Sequence, residues 1–296
     1  MKLFQNKLNT LAVLLLFSSS STAVADAGDA DANARLAFSD KLTMYSNRIA
    51  SSACSFTSSD APFASRGFLA TAAFETNRIV RALERGDPAL GISSPEQNND
   101  ILDLLADTKN DWTDIDVMAQ KILNGATSEA ELADLEGQIQ SFTQMSQRLV
   151  SAISNQYTDT NSLHLSEAIR LQVAGRQRML SQKISHQACT IQRTNAQSAR
   201  EDMTKTIELF ELSAQALRNG MPEVGLIATT DPSLVAALDR VDQIWSELKW
   251  PLLGLENGAT WDITTLNRMY LRLNELTHEM DKAVVAYTKA AKVALG

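Results

Sequence analysis

A segment of 22 residues occurs twice in the chain, and this repeat constrains the fold more than any other feature. The two copies are residues 35–56, RLAFSDKLTMYSNRIASSACSF, and residues 170–191, RLQVAGRQRMLSQKISHQACTI. At a constant offset of 135 positions, seven residues are identical and three are conservatively replaced. We therefore expect the same structural element at two places in the fold.

Both copies have the pattern of a helix with two different faces. At about 100° per residue, Leu180, Ile184 and Ile191 lie on one side of the second copy, which predicts a core-facing apolar stripe. The other side carries small and polar residues, namely Ala174, Gly175, Arg178, Ser181, Ser185 and Cys189. Small residues allow another helix to approach closely, and an arginine among them needs a carboxylate partner or an anion.

The repeat continues beyond these segments. A Leu-x-x-Gly-x-Pro-x-x-Gly motif at residues 83–91 recurs at residues 217–225, and Asn-Gly-Ala-Thr at 124–127 recurs at 257–260. Apolar residues recur at intervals of three and four, and no stretch alternates long enough to form a strand. Glycines followed by prolines mark helix ends. The sequence therefore predicts an all-α fold of two tandem antiparallel four-helix bundles.

The predicted helices are 31–58, 63–86, 96–123 and 128–157 in unit one, and 162–196, 198–219, 231–256 and 261–294 in unit two. Pro251 lies inside the seventh of these, and we expect it to bend that helix or to end it early. The predicted bundle domains are residues 26–158, the more diverged copy, and residues 159–296.

Residues 1–25 have the layout of a secretory signal peptide. Two lysines precede an apolar run at residues 11–17, and small residues follow, with cleavage expected after Ala25. The run is far shorter than the roughly 20 residues of a spanning helix, so we expect no membrane insertion after cleavage and a periplasmic location. The net charge of −8 becomes −10 on removal of two lysines and no acid, and no basic cluster suggests nucleic acid as a partner.

The two cysteines occupy equivalent positions in the two copies. In an oxidising compartment, Cys54 and Cys189 are a candidate disulfide. The alternative is that they are two buried small side chains, because free cysteine packs as a hydrophobic residue. The sequence leaves both interpretations open.

The segment AGRQRMLSQKI, residues 174–184, resembles the signature of the PilJ-type domain. This is the N-terminal domain of type IV pilus methyl-accepting chemotaxis transducers, and it is also the sensor module of nitrate/nitrite sensor kinases. The resemblance implies a ligand-sensing bundle outside the cytoplasmic membrane. It also implies that Arg178 and the backbone near Gly175 hold the ligand. Unit one departs from the motif, since Asp40 and Thr43 stand where the motif has glycine and arginine.

A guanidinium can meet two oxygens of nitrate or nitrite at once, so we expect a small oxyanion at Arg178 and Gly175. Further donors would come from Ser181 and Gln182 one turn later. Two alternatives stay open: a different polar ligand, or an ion pair between Asp40 and Arg178 that fixes the helix register and binds nothing. If unit one acts as a second subunit, the side chains of Thr43, Ser46 and Asn47 would also face Arg178 in the site.

We expect a periplasmic protein that binds or senses a small oxyanion, nitrate or nitrite first. The membrane helix, signalling linker and kinase or chemotaxis module of the family are not found in the sequence, so a signal would require a partner. The alternative function is an adaptor that docks on a membrane-bound sensor, transporter or pilus component without binding a small ligand.

We expect no enzyme, no cofactor and no metal site. The three histidines, His164, His186 and His278, are too scattered for a metal cluster, and there is no C-x-x-C-H haem attachment sequence. Neither cysteine nor histidine lies in a recognisable nucleophile turn.

Overall fold

The computed structural model describes residues 21–57, 63–125, 128–157 and 165–295. Within these ranges the chain forms α-helices, two short 3-10 helices and two isolated antiparallel bridges, and it contains no strand. The all-α prediction is confirmed. Residues 1–20, on which most of the predicted signal peptide falls, lie outside the described ranges.

The described residues form eight α-helices, four in each unit. Unit one contains α1 (Ser21–Thr57), α2 (Phe63–Arg85), α3 (Asn99–Leu123) and α4 (Glu129–Tyr157). Unit two contains α5 (Leu165–Thr194), α6 (Gln197–Asn219), α7 (Pro232–Glu256) and α8 (Ile263–Leu295).

The helix ends agree with the sequence prediction to within three residues, with one exception. Helix α1 begins at Ser21 rather than at residue 31, so it runs through the expected cleavage site after Ala25. Early termination of α7 at Pro251 is wrong, because the helix continues to Glu256. Proline lacks the N–H of one intrahelical hydrogen bond, but burial of Leu252 and Leu255 immediately after it keeps this turn packed on the core.

The helices of each unit pack as an antiparallel bundle. In unit one, α1 packs against α2 and α4, and α3 packs against both of them. In unit two, α5 packs in the same way against α6 and α8, and α7 packs against both of these. The first helix of each unit therefore has neighbours on two sides within its own bundle.

Equivalent tryptophans anchor the two cores. Trp112 donates its indole N–H to Asn77 Oδ1 at 2.8 Å, and Trp245 donates to Glu211 Oε1 at 2.9 Å. Both indoles are buried in the apolar core of their unit. The indole N–H of each ring is therefore hydrogen-bonded to the neighbouring helix, and both tryptophans serve as core residues.

A turn with two left-handed glycines follows the second helix of each unit. In unit two, Gly220 ends α6 with φ at +79°, and the next residues close an antiparallel bridge between Met221 and Leu226. A Cβ atom at Gly220 would lie 2.7 Å from the backbone nitrogen of Ala228. Gly86 in unit one has the same conformation, with φ at +82°. Both the dihedral angle and the close backbone therefore require glycine here.

We expect Gly220→Ala to lower the free energy of unfolding by about 1–3 kcal/mol, because alanine would be strained at this φ and would clash with the backbone. The matched control is Gly137→Ala in the exposed middle of α4, where nothing lies within 4 Å of the added Cβ. That change should raise stability by about 0.5–1 kcal/mol. Urea unfolding measures both, and equal effects of the two substitutions would contradict this account of the turn.

Candidate functional site

Helices α1 and α5 lie side by side and parallel, and we call their contact the seam. Residue numbers rise together along both helices: Asp40 contacts Arg178, Ser51 lies 3.4 Å from Gln182, and Cys54 is bonded to Cys189. The sequence left open whether the bundles lie side by side or end to end. The parallel seam shows that they lie side by side.

A disulfide joins Cys54 and Cys189, both of which are buried. Of the two interpretations that the sequence allowed, the structure has the bridge. The two cysteines are equivalent residues of the repeat, 135 positions apart. Equivalent residues of two parallel helices can meet only close to an axis of approximate two-fold symmetry that runs along those helices. The seam is therefore arranged like the interface of a symmetric dimer, although one chain forms it.

Arg178 lies inside the seam with both terminal nitrogens paired to carboxylates. Nη2 is 2.8 Å from Asp40 Oδ2, and Nη1 is 2.6 Å from Oδ1 of Asp281 on α8. Only 2% of the Arg178 side chain is exposed, against 29% and 33% for the two acids. The ion pair that the sequence offered as the alternative to an anion site is thus present, and a second carboxylate reinforces it.

The charges around Arg178 balance. Lys41 Nζ lies 3.4 Å from Asp281 Oδ1, so two cations, Lys41 and Arg178, face two carboxylates, Asp40 and Asp281. Burial alone would lower the pKa of Arg178, but attraction by Asp40 and Asp281 outweighs it and the pKa is raised. Burial likewise favours neutral Asp281, yet Lys41 and Arg178 hold the pKa of its carboxyl below the ordinary value. Arg178 and Asp281 are therefore charged at neutral pH, and the formal charges of the two cations and the two carboxylates sum to zero.

Gly175 provides the space for the Asp40 carboxylate. A Cβ atom built on Gly175 would lie 2.4 Å from Asp40 Oδ2 and 3.1 Å from its Cγ. Asp40 and Gly175 are equivalent positions of the repeat, so the side chain of one unit fills the gap left by its counterpart in the other. The Asp40 carboxylate therefore occupies the space beside Gly175, where the family resemblance implied a ligand.

The other predicted ligand residues are bonded elsewhere. Ser181 Oγ lies 2.6 Å from Thr277 Oγ1, and the Gln182 amide donates to Thr277 Oγ1 at 2.7 Å and to Asn274 Oδ1 at 3.2 Å. All these residues are buried, and Thr277 and Asn274 belong to α8 of the same unit. Ser181 also donates to the backbone carbonyl of Arg178, and Gln182 Oε1 accepts from Ser51 across the seam at 3.4 Å. Ser181 and Gln182 therefore fasten α5 mainly to α8, and neither side chain is hydrogen-bonded to the guanidinium of Arg178.

Thr43, Ser46 and Asn47 of unit one also have partners within their own unit. Thr43 donates its hydroxyl to the carbonyl of Asp40, and the Asn47 amide donates to the carbonyl of Thr43. Ser46 Oγ lies 2.9 Å from Thr143 Oγ1 on α4. The contact of Ser46 with α4 repeats in unit one the contact of Ser181 with α8 in unit two. None of the three side chains is directed to the guanidinium of Arg178 by a hydrogen bond.

A second contact between the units is not indicated by any sequence pattern. Glu136 on α4 lies 3.3 Å from Arg193 and 3.6 Å from His186 Nε2, both on α5. The contact with His186 is the main cause that lowers the pKa of Glu136, and it outweighs burial. Asp281 is not indicated either. Neither acid belongs to a motif, so only the packing of α4 and α8 against the seam identifies them.

One comparison with known proteins is informative. Residues 157–268 match the family model described as Type IV pili methyl-accepting chemotaxis transducer N-term, and this range covers α5 to the start of α8. The match supports a PilJ-type domain in unit two, including Gly175 and Arg178. No curated protein and no solved structure matches the chain. In the described part of the chain, a search for helices of sufficient length and hydropathy to cross a bilayer finds none.

We expect loss of the disulfide to destabilise the protein, because the bridge closes 135 residues and restricts the unfolded chain. A double substitution, Cys54→Ser with Cys189→Ser, should lower the free energy of unfolding by about 2–5 kcal/mol. Urea unfolding with and without dithiothreitol measures the effect. Reductant should weaken the native protein and leave the double variant unchanged. Equal midpoints for the oxidised protein and the variant would contradict the expectation.

Proposed function

We propose that the protein is an extracytoplasmic sensory-type adaptor. In this proposal, both units are PilJ-type bundles, exported by the N-terminal segment and joined into a pseudo-dimer that docks on a membrane-bound transducer, sensor or pilus component. Arg178 then acts as part of the seam, and a free oxyanion is not its ligand. The family match to a chemotaxis transducer domain supports a sensory role, and the contacts of Arg178 favour an adaptor over a nitrate or nitrite receptor at this position.

The observation that carries the proposal is the pairing of both terminal nitrogens of Arg178. A planar anion takes two hydrogen bonds from adjacent nitrogens of a guanidinium, and every such pair in Arg178 includes a terminal nitrogen that already donates to a carboxylate. The Nε atom has no partner among the described residues, but it is shielded from solvent. A nitrate held at two points would therefore share a terminal nitrogen with Asp40 or Asp281 and bring its negative charge next to that carboxylate.

A tethered carboxylate has an advantage over a dissolved anion. Asp40 is fixed on the neighbouring helix, so its effective concentration at Arg178 exceeds the millimolar level typical of short flexible tethers. If nitrate displaced Asp40 from Arg178, the Asp40 carboxylate would remain beside Gly175 without its cationic partner and close to the negative charge of the nitrate. The balanced charges of Lys41, Arg178, Asp40 and Asp281 leave no excess positive charge to attract a second anion.

The seam also supports the proposal that the two units form a closed pseudo-dimer within one chain. In a two-subunit receptor, the interface can open or shift when a ligand binds between the subunits. Here a disulfide between equivalent residues and the Asp40–Arg178 ion pair fix the corresponding helices. A rigid, closed seam suits a protein that presents a preformed outer surface to a partner.

Calorimetric titration with sodium nitrate and sodium nitrite tests the role of Arg178, on the native protein and on Arg178→Ala. We expect Arg178→Ala to leave any anion response of the native protein unchanged. Asp40→Gly, which gives unit one the glycine of unit two, should create a new response that depends on Arg178. The exposed Arg176, two residues before Arg178 on α5, supplies the control Arg176→Ala.

Saturable nitrate binding by the native protein that disappears in Arg178→Ala and persists in Arg176→Ala would contradict the proposal and favour an oxyanion receptor.

The proposed docking on a membrane-bound partner is tested by photo-crosslinking of the intact chain to membranes of the source cell. We expect saturable capture of a transducer, sensor or pilus protein that excess unlabelled chain competes away. Absence of any competed membrane partner would count against an adaptor.

A further inference from the structure

One end of unit one contains a buried arginine with a complete set of acceptors. Arg35 is 1% exposed, and its guanidinium pairs with Asp31 at 2.6 Å and with Glu96 at 3.2 Å. Glu96 also accepts a hydrogen bond from the hydroxyl of Tyr157 at 2.8 Å, and the Tyr157 ring centroid lies 5.4 Å from the guanidinium carbon of Arg35. Two carboxylates and an aromatic ring therefore enclose the charge of Arg35 within unit one.

The equivalent arginine of unit two has a similar aromatic neighbour but lacks these carboxylates. The guanidinium carbon of Arg170 lies 5.7 Å from the ring centroid of Tyr287, and Nη2 donates to the backbone carbonyl of Ile227 at 2.9 Å. Its Nε has no partner among the described residues, which also place no carboxylate at ion-pair distance from this arginine. The Arg170 side chain is partly exposed, so its charge is accessible from outside the bundle.

Both carboxylates of unit one are replaced by uncharged residues in unit two. At the offset of the repeat, Ser166 stands where unit one has Asp31, and Thr229 takes the place of Glu96. The second equivalence follows from the backbone, because the N–H of each residue donates to the carbonyl two residues before the left-handed glycine that ends the second helix. The Thr229 hydroxyl lies 2.9 Å from that of Tyr287 and supplies no negative charge to Arg170.

The other groups at this end of unit two do not balance the charge of Arg170 either. Burial raises the pKa of Tyr287, so the phenol stays protonated and neutral beside the guanidinium. Arg218, the second arginine that acts on this phenol, is paired with Asp239 at 2.8 Å and with Asp242 at 2.7 Å. Its charge is therefore already compensated, and Arg170 is the cation that a partner can reach.

Two aliphatic side chains are exposed in the turn that Arg170 contacts. Val224 is 51% exposed and Ile227 is 62% exposed. The position of Ile227 in unit one holds Ser93, whose hydroxyl donates to Asp31 at 2.8 Å. Unit two therefore combines an accessible cation with an exposed apolar turn, and we call Arg170, Val224 and Ile227 the end surface.

We infer that the end surface binds an acidic segment of the protein on which the adaptor docks, an inference that rests on the adaptor function proposed above. Unit one shows which group completes this place, because its own Asp31 and Glu96 supply carboxylates to the equivalent arginine. In unit two the partner supplies a carboxylate to Arg170, and an aliphatic side chain of the same segment covers Ile227. A dissolved anion would leave the apolar turn exposed, so the surface fits a polypeptide.

A substitution that restores the missing charge tests the site without any partner. Thr229→Glu gives unit two the acid of unit one, and Thr229→Gln is its uncharged isostere. At neutral pH we expect the Glu variant to melt about 2 °C above the Gln variant, because the new carboxylate pairs with Arg170. In an Arg170→Met background this difference should disappear. An equal difference in both backgrounds would overturn the inference, because Arg170 would then take up no carboxylate at this position.

A photo-reactive amino acid in place of Ile227 tests the partner, in the full-length oxidised protein mixed with membranes of the source cell. We expect a crosslink that excess unlabelled chain competes away, to a peptide with an aspartate or glutamate within about one helical turn of the attachment point. The same amino acid in place of Ser93 should give no competed crosslink. Arg170→Met and Thr229→Glu should each weaken capture at least about tenfold, and the exposed Arg176→Met should leave it unchanged.

The outcomes distinguish this inference from the adaptor proposal. A competed partner that crosslinks only elsewhere on the chain, or whose capture is insensitive to Arg170→Met and Thr229→Glu, would overturn the inference and leave the adaptor intact. A crosslinked peptide without an acidic residue would have the same consequence. Absence of a competed membrane partner from every crosslinking position would overturn both.

Discussion

The ion pair between Asp40 and Arg178 is the interaction on which the arrangement of the two units depends. The Arg178 side chain of unit two is only 2% exposed, and its Nη2 lies 2.8 Å from Oδ2 of Asp40 in unit one. Gly175 leaves the space that the Asp40 carboxylate occupies. Removing either partner would leave a charge in a mostly dry seam, which is costly, whereas a different register would separate the pair. The pair therefore specifies how α1 and α5 align, and the disulfide fixes the same alignment covalently.

The two units have equivalent residues at the packing contacts within each bundle, and different residues at the seam where the bundles meet. Ser46 with Thr143, and Ser181 with Thr277, make the same hydroxyl contact between the first and fourth helices of each unit. At the seam the equivalent positions diverge, so that Asp40 faces Gly175. Two equal arginines facing each other would repel. Unit one has Thr43 in place of the arginine and Asp40 in place of the glycine, so Arg178 meets a carboxylate and the interaction is attractive. Our proposal that the seam is closed rests on this asymmetry.

Local sequence signals predicted most of the fold, and the charged partners required the tertiary structure. Helix ends followed from residues such as Gly220 and Pro222, whose backbone preferences act within a few residues. The shared offset of Cys54 and Cys189 suggested their bridge, and the alignment of Asp40 with Gly175 suggested the ion pair. Asp281 could not be found in this way, because it lies 103 residues from Arg178 on another helix.

A double-mutant cycle of Asp40→Ala and Arg178→Ala, followed by urea unfolding of the oxidised protein, tests the central claim most directly. The cycle isolates the interaction between the two side chains from their separate effects. Our account predicts a favourable coupling on the order of 1–2 kcal/mol, reduced from the fully buried case by the partial exposure of Asp40. Additive effects, with a coupling below about 0.3 kcal/mol, would contradict a seam held by this ion pair.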